Sequence, residues 1–138
     1  IGIILIDQHA NLEFRAIIEL LRDDKPLREI ERSILGFDHT QVGDLIAGRW
    51  RLPAALRGAI RHHHRSAKYK GEGQQIVRCV DAANVICTLK GITSVGKRCG
   101  LPDPTVFQLL GLGKIDVQVL ASDLDISLKR NECLFEML

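Results

Sequence analysis

Residues 35–43 read LGFDHTQVG, and this stretch contains both the end of one predicted helix and the start of the next. Glycine is common just after a helix, so Gly36 is expected to end the first one. Asp38 is a good N-cap, which predicts that the next helix begins there with His39 in its first turn. Gly43 lies one turn after His39, and its missing side chain predicts a close approach by another helix, with a ligand contact as the alternative.

Helix signals continue on both sides of this junction, and alternating strand patterns are nearly absent. Asn11 is expected to cap an early helix, Asp116 to cap a last helix or helix pair, and Gly91 to stop a long helix over residues 74–90. The sequence therefore predicts an all-α protein, a bundle of about six to eight helices. The predicted helices cover residues 1–6, 11–22, 26–36, 38–50, 53–64, 74–90, 103–111 and a C-terminal segment from residue 116.

The composition is that of a single globular domain. The chain has 138 residues, of which 46% are hydrophobic and 26% charged, and its formal net charge is +2. These values exclude a largely disordered chain. No apolar run reaches the roughly 18 residues of a membrane span, so we expect no contact with a membrane. The chain starts with Ile1 rather than methionine, and we expect it to be a piece of a longer protein.

Four cysteines lie at positions 79, 87, 99 and 133, and no two of them form a CxxC motif. A zinc ribbon or a CxxC redox site is therefore not expected. Free thiols in a reducing compartment are favoured over a disulfide, which predicts a cytoplasmic protein. Cys79 and Cys87 fall in an apolar helical pattern and are predicted to be small core residues.

Residues 49–70 form a basic segment, with seven Lys or Arg, three histidines and no Asp or Glu, whereas the rest of the chain has twelve Lys or Arg and seventeen acids. Such a segment can bind phosphate, nucleotide or nucleic acid. The favoured interpretation is a solvated helix face whose positive charges are balanced by acidic residues elsewhere in the fold. Trp50 and Tyr69 are its aromatic residues, too few for a platform that stacks single-stranded bases, so nucleic acid is not an expected partner.

Several polar residues fall on predicted apolar faces. His63 shares a helix face with three apolar residues, Leu56, Ala59 and Ile60. Asp81 lies on an apolar face of the 74–90 helix, with Asn84 alongside, and a buried carboxylate requires a metal, an arginine or a histidine as partner. Together with His39 and His64, these residues predict either a divalent metal site or a His–Asp hydrogen-bond network that ties the helices together.

The chain resembles the HDOD domain in the order and spacing of four stretches, which are residues 35–43 (LGFDHTQVG), 50–53 (WRLP), 59–64 (AIRHHH) and 76–82 (IVRCVDA). The resemblance covers about residues 1–90, and residues 91–138 are compatible as a helical extension. It implies that residues 1–138 form the C-terminal part of a single HDOD-like domain, with an HD-superfamily-like helical bundle. HDOD domains are relatives of the HD phosphohydrolases and HD-GYP phosphodiesterases, and most are bacterial signalling or regulatory modules that lack the full metal centre.

The resemblance also implies positions for a degenerate metal site. In HD enzymes a His-Asp doublet is followed directly by Ile-Gly, and here residues 1–2 are Ile-Gly, so the doublet is expected just before residue 1. The remaining ligand positions implied by the family are His39, His63, His64 and Asp81.

Two features depart from the enzymes of this group. Arg65 follows the histidine pair where the pattern has Glu, and residues 69–71 read YKG instead of containing a Gly-Tyr-Pro motif. A cation at Arg65 is expected to lie beside the metal position and to oppose metal binding by charge repulsion.

The function that the resemblance mainly implies is that of a non-catalytic bacterial regulatory domain in signal transduction. It would bind a signalling partner or an attached input domain, need no cofactor, and keep the ligand-position residues as a polar core network. The alternative is a metal-dependent phosphodiesterase or phosphohydrolase with a degenerate site holding iron, manganese or zinc, in which Arg61 or Arg65 binds a substrate phosphate. A further alternative is nucleotide or nucleic-acid binding through residues 49–70. The sequence does not predict the oligomeric state.

Overall fold

The computed structural model describes residues 1–22, 24–96 and 100–131. Over these residues the protein is all-helical, which confirms the predicted fold class. The α-helices in chain order are α1 (Gly2–His9), α2 (Asn11–Glu19), α3 (Leu27–Leu35), α4 (His39–Arg49), α5 (Ala54–His62), α6 (Gln74–Leu89), α7 (Thr105–Leu109) and α8 (Lys114–Arg130). A 3₁₀ turn, Ser66–Lys68, lies between α5 and α6. In the described part of the chain, no helix combines the length and the apolar character needed to span a bilayer.

The junction between α3 and α4 has the predicted form. Gly36 ends α3 in the left-handed region, with φ of 80°. The Asp38 side chain accepts the backbone N–H groups of Thr40 and Gln41, and the Gln41 side chain accepts the N–H of Asp38. This reciprocal capping box satisfies the free donors at the start of α4 and fixes His39 as its first residue.

Two glycines allow α4 to pack closely on its neighbours. A side chain on Gly2 would collide with the carbonyl oxygen of His39, so the start of α1 lies directly against the start of α4. A Cβ on Gly43 would lie 2.7 Å from Cγ2 of Ile60 in α5. The prediction that Gly43 serves helix packing is therefore confirmed, and both contacts position the N-terminal end of α4.

Two clusters of buried apolar residues are found in the described part of the chain. One joins α2 and α3 and contains Ile17, Leu21 and Ile30. The other joins α6 and α7 and contains Ala82, Val85, Ile86, Val106 and Phe107, with α8 packed against it through half-buried apolar side chains. A cavity lined by residues of several helices, among them α3, α4, α5 and α6, lies beside His39, His63 and His64.

Two predicted caps are wrong. The N-cap position of α2 is Ala10, and the Asn11 amide instead donates to the carboxylate of Asp7 at 3.0 Å. A single residue separates α1 from α2, so Asn11 lies within reach of the preceding turn. Asp116 lies inside α8, where its carboxylate accepts the Gly113 N–H at 2.8 Å. It completes the helix start from its third position rather than preceding the helix.

The cysteine prediction holds only in part. Cys79 is exposed, so its assignment to the core is wrong, and Cys87 is half-buried. Helix α6 carries apolar residues around most of its circumference, including the 45% exposed Ile76, so the pattern did not indicate which face is covered. Cys99 and Cys133 lie outside the described residues.

Candidate functional site

Three of the predicted site histidines form one cluster. His39 begins α4, while His63 and His64 directly follow the last residue of α5. One ring nitrogen from each of the three lies within 4.8 Å of the others. The ring centroids of His63 and His64 are 4.1 Å apart, and those of His39 and His64 are 5.2 Å apart. The close packing of α4 on α5 thus brings the three imidazoles together in one cluster.

A directional chain of hydrogen bonds passes through this cluster. The Oε2 atom of Glu31 accepts the backbone N–H of His39 at 3.1 Å and lies 2.7 Å from His39 Nδ1, which therefore carries the proton. His39 Nε2 is then an acceptor, and His64 Nε2 donates to it at 3.1 Å. His64 Nδ1 accepts from the Asn84 amide at 3.3 Å. The chain Asn84–His64–His39–Glu31 connects α6, the end of α5, α4 and α3.

His63 is held separately. Its Nδ1 atom lies 2.9 Å from the carbonyl oxygen of Ile60, to which it donates, so Nε2 of His63 keeps its lone pair. Burial, followed by the proximity of His39, lowers the pKa of His63 to about 4. Burial, followed by the proximity of His63, lowers the pKa of His64 to about 2. Both rings are therefore neutral at pH 7, the form that donates and accepts within such a network and that also ligates metals.

Glu31 is a site residue that the sequence analysis missed. It is fully buried, and its Oε1 atom has no hydrogen-bond partner within the described ranges. A detectable signal was present, because Glu31 lies four residues after Leu27 and four before Leu35. The same spacing, with Val77 and Val85, singled out Asp81. Glu31 gives α3 a direct role in orienting the first histidine.

Asp81 lies on the wall of the same cavity but outside the tight histidine group. It is 8% exposed, and its Oδ2 atom accepts the Ser66 N–H at 3.1 Å. Burial raises the pKa of Asp81, and the hydrogen bonding from Ser66 only partly opposes that effect. Asp81 thus fixes the turn after the histidine pair to α6, and its role as a metal ligand stays a prediction.

The two arginines proposed as phosphate ligands do not line the cavity. Arg61 donates to the hydroxyl of Thr40 at 3.1 Å and lies 3.8 Å from Asp38, so it belongs to the α4 cap. Arg65 is exposed and does not line the cavity. The arginine that does line it is Arg28 of α3, which the sequence analysis did not identify. The cation expected beside the histidines is therefore supplied by a different helix.

The basic segment is partly neutralised by acids from outside it. Arg57 forms an ion pair with Asp44 at 2.9 Å, and Arg61 lies near Asp38 as described above. These two contacts agree with the interpretation of a solvated helix face whose positive charges are balanced by acidic residues. Nothing in these contacts favours an extended surface for nucleic acid.

The cavity beside the histidines has a volume of about 680 Å³. Its polar wall includes the three clustered histidines, Asp81 and Arg28, and the remainder is largely apolar. A cavity with a few polar groups on an apolar wall is the usual form of a small-molecule site.

Residues 1–66 match the family model described as HDOD domain. This match agrees with the resemblance to the HDOD domain that the sequence motifs indicate. The HDOD family is one of output domains in signal transduction. The matched residues include Arg28, Glu31 and the three clustered histidines, whereas Asp81 and Asn84 follow them. No curated protein and no solved structure matches the chain.

Proposed function

We propose that this chain is a non-catalytic regulatory domain of a cytoplasmic bacterial signalling protein, which acts through contacts with a protein partner or an attached input domain. The observation that carries the proposal is the hydrogen-bond chain through His39 and His64. Both ring nitrogens of each histidine are engaged by protein groups, at 2.7–3.3 Å. Two of the residues at metal-ligand positions, His39 and His64, thus belong to a polar network that connects four helical segments, which supports a structural role for them.

The charges around the cluster support the same proposal. Among the residues that the structure describes, the tight group contains three imidazoles and no carboxylate. The Arg28 guanidinium lines the adjacent cavity, where its positive charge opposes a divalent cation. Hydrolytic metal centres of this superfamily combine histidine with carboxylate ligands, and here the buried carboxylates Glu31 and Asp81 are both engaged by backbone N–H groups.

The surface of α4 supports a role in protein contacts. Trp50, the single tryptophan of the chain, follows α4 and is 61% exposed, and Leu45 on the same helix is 60% exposed. Tryptophan is enriched at protein interfaces because it supplies a large apolar area with a polar N–H. The surface around Trp50 is therefore the region we assign to the partner.

Site-specific photo-crosslinking in the native host tests this assignment. A photoreactive phenylalanine analogue at position 50 should give one discrete cross-linked protein species. The same analogue at Leu12, which is 79% exposed on α2, serves as the matched control and should give none. Equal cross-linking from both positions, or none from position 50, would contradict the assignment.

A metal-dependent phosphohydrolase is the second candidate, and one observation favours it. The Nδ1 atom of each histidine is hydrogen-bonded to a protein group, as is common in metal-ligating histidines, where this bond orients the ring. His39, His63 and His64 would hold the ion through Nε2, after Asn84 turns its amide oxygen toward His64. Such an ion would activate water for phosphoester hydrolysis.

Hydrolysis of bis(p-nitrophenyl) phosphate separates the two candidates. The regulatory proposal predicts no turnover above buffer with added Mn²⁺, Fe²⁺ or Zn²⁺. Turnover that requires metal and is lost in His64→Ala, but not in a control substitution of the exposed His9, would establish the second candidate instead.

A further inference from the structure

Arg28 places a positive charge at the cavity. Within the described ranges it makes no hydrogen bond or ion pair of its own, and it is half-buried. Burial, followed by repulsion from Arg65, lowers its pKa. The carboxylates of Asp38 and Glu31 attract it from a distance, but Asp38 holds the α4 cap and Glu31 holds the histidine chain. Removing a cation from water without a contacting anion costs free energy, and a bound anionic ligand offsets that cost.

A second unpaired donor lies on the same cavity. The hydroxyl of Thr93 is buried and has no hydrogen-bond partner among the described residues. On the wall, Asp81 accepts the Ser66 N–H and Asp103 accepts the Thr105 N–H at 2.9 Å, and neither carboxylate is hydrogen-bonded to Arg28 or to the Thr93 hydroxyl among the described residues. Both donors therefore have room for an acceptor that a ligand supplies.

The rest of the wall is suited to an apolar body. It is lined by aliphatic side chains that include Leu52, Leu56, Ile60, Val80, Val85 and Leu101. The volume of about 680 Å³ is in the range of small-molecule sites. Burial of aliphatic groups against this wall supplies binding energy that does not depend on charge.

We propose that this cavity binds an organic anion, with a carboxylate or phosphate head at Arg28 and an aliphatic body along the apolar wall. The ligand adds a small-molecule input to the regulatory function and does not depend on the identity of the protein partner.

Isothermal titration calorimetry with three probes of equal chain length tests the proposal: octanoate, octyl phosphate and octanol, each below its micelle-forming concentration. Both anions are predicted to bind at least ten-fold more tightly than octanol, because charge-assisted hydrogen bonds to Arg28 add to apolar burial. The tighter of the two anions identifies the head group.

Arg28→Met is predicted to reduce anion affinity to that of octanol, and Arg28→Lys, which keeps the charge, to retain part of it. Arg15→Met removes the same charge from the exposed face of α2 and should leave binding unchanged. Circular dichroism confirms that each variant is folded. The proposal is overturned if octanol binds as tightly as the anions, if neither anion binds, or if folded Arg28→Met keeps the preference for anions.

Discussion

Asp38 at the α3–α4 junction and Asp81 on the α6 wall are both buried aspartates, yet their environments differ. Burial alone would raise the pKa of Asp38, but hydrogen bonds from Thr40 and Gln41 and the contact with Arg32 hold it below its ordinary value. Burial raises the pKa of Asp81, whose partner is Ser66. The number and charge of the partners, rather than burial, decide which carboxylate stabilises the fold.

The largest difference is expected from removing Asp38. Asp38→Ala deletes the α4 cap and leaves two arginines without their acid, so we expect the free energy of unfolding to fall by about 4 kcal/mol. Asp44→Ala removes an acid from the exposed pair with Arg57 and should cost less than about 1 kcal/mol. Urea unfolding of both variants measures this. Equal losses would show that the cap is not the main stabilising feature of the junction.

The pH dependence of stability extends the comparison to the histidines. The folded pKa of His63, about 4, lies below the unfolded value of 6.5. As the pH falls from 6.5 the unfolded state takes up the proton first, so stability is complete above this range and declines toward pH 4. The slope is about 1.4 kcal/mol per pH unit, or about 3 kcal/mol in total.

Urea unfolding at pH 4.5, 5.5 and 7 tests the sign and size of this effect. His63→Gln should show a shallower decline than the natural sequence, whereas His9→Gln, on the exposed side of α1, should not. A profile that is flat between pH 7 and 4.5 would mean that His63 is not buried as a neutral ring.

The hydrogen-bond chain is tested at its acidic end. Glu31→Gln removes the charge that accepts the Nδ1–H of His39, and we expect a loss of about 2 kcal/mol, as for a hydrogen bond to a charged group. Glu29→Gln, an exposed position on the same helix, is the matched control and should be neutral. Thermal unfolding followed by circular dichroism distinguishes them. If Glu31→Gln does not change stability, the charge of Glu31 does not stabilise the protein through the hydrogen-bond chain.

The smallest effect is expected at Asp81. Asp81→Ala leaves the Ser66 N–H without its acceptor and should lower stability by about 1 kcal/mol. Asp81→Asn keeps an oxygen acceptor and removes a desolvated charge, so it should lie within about 0.5 kcal/mol of the natural sequence. If Asp81→Asn is as destabilising as Asp81→Ala in the same melts, the charge itself is required.

The elements predicted best from sequence have strong local signals. The helix junction at Gly36 and Asp38 is decided by glycine conformation and by a side-chain cap, both properties of a few adjacent residues. That His39, His63 and His64 lie close together was predicted from the family resemblance and from helical spacing. The cap at Asn11 failed because a competing partner, Asp7, lies in another helix.

The site residues that were missed depend on packing between distant segments. Arg28 reaches the cavity through the tertiary placement of α3, and no local pattern distinguishes it from its exposed neighbours. Arg65 lies next to the histidines in sequence but is exposed. Adjacency in sequence was therefore a poor guide to which cation faces the cluster, whereas Glu31 was detectable by the spacing that identified Asp81.

The most direct test of the account is the metal content of the protein, purified without chelator and measured by plasma mass spectrometry beside His64→Ala. If the histidines serve as a hydrogen-bonded network, iron, manganese and zinc are each predicted at well below one equivalent, with no difference between the two proteins. One or more equivalents in the natural sequence, lost in folded His64→Ala, would contradict the account and establish a metal centre.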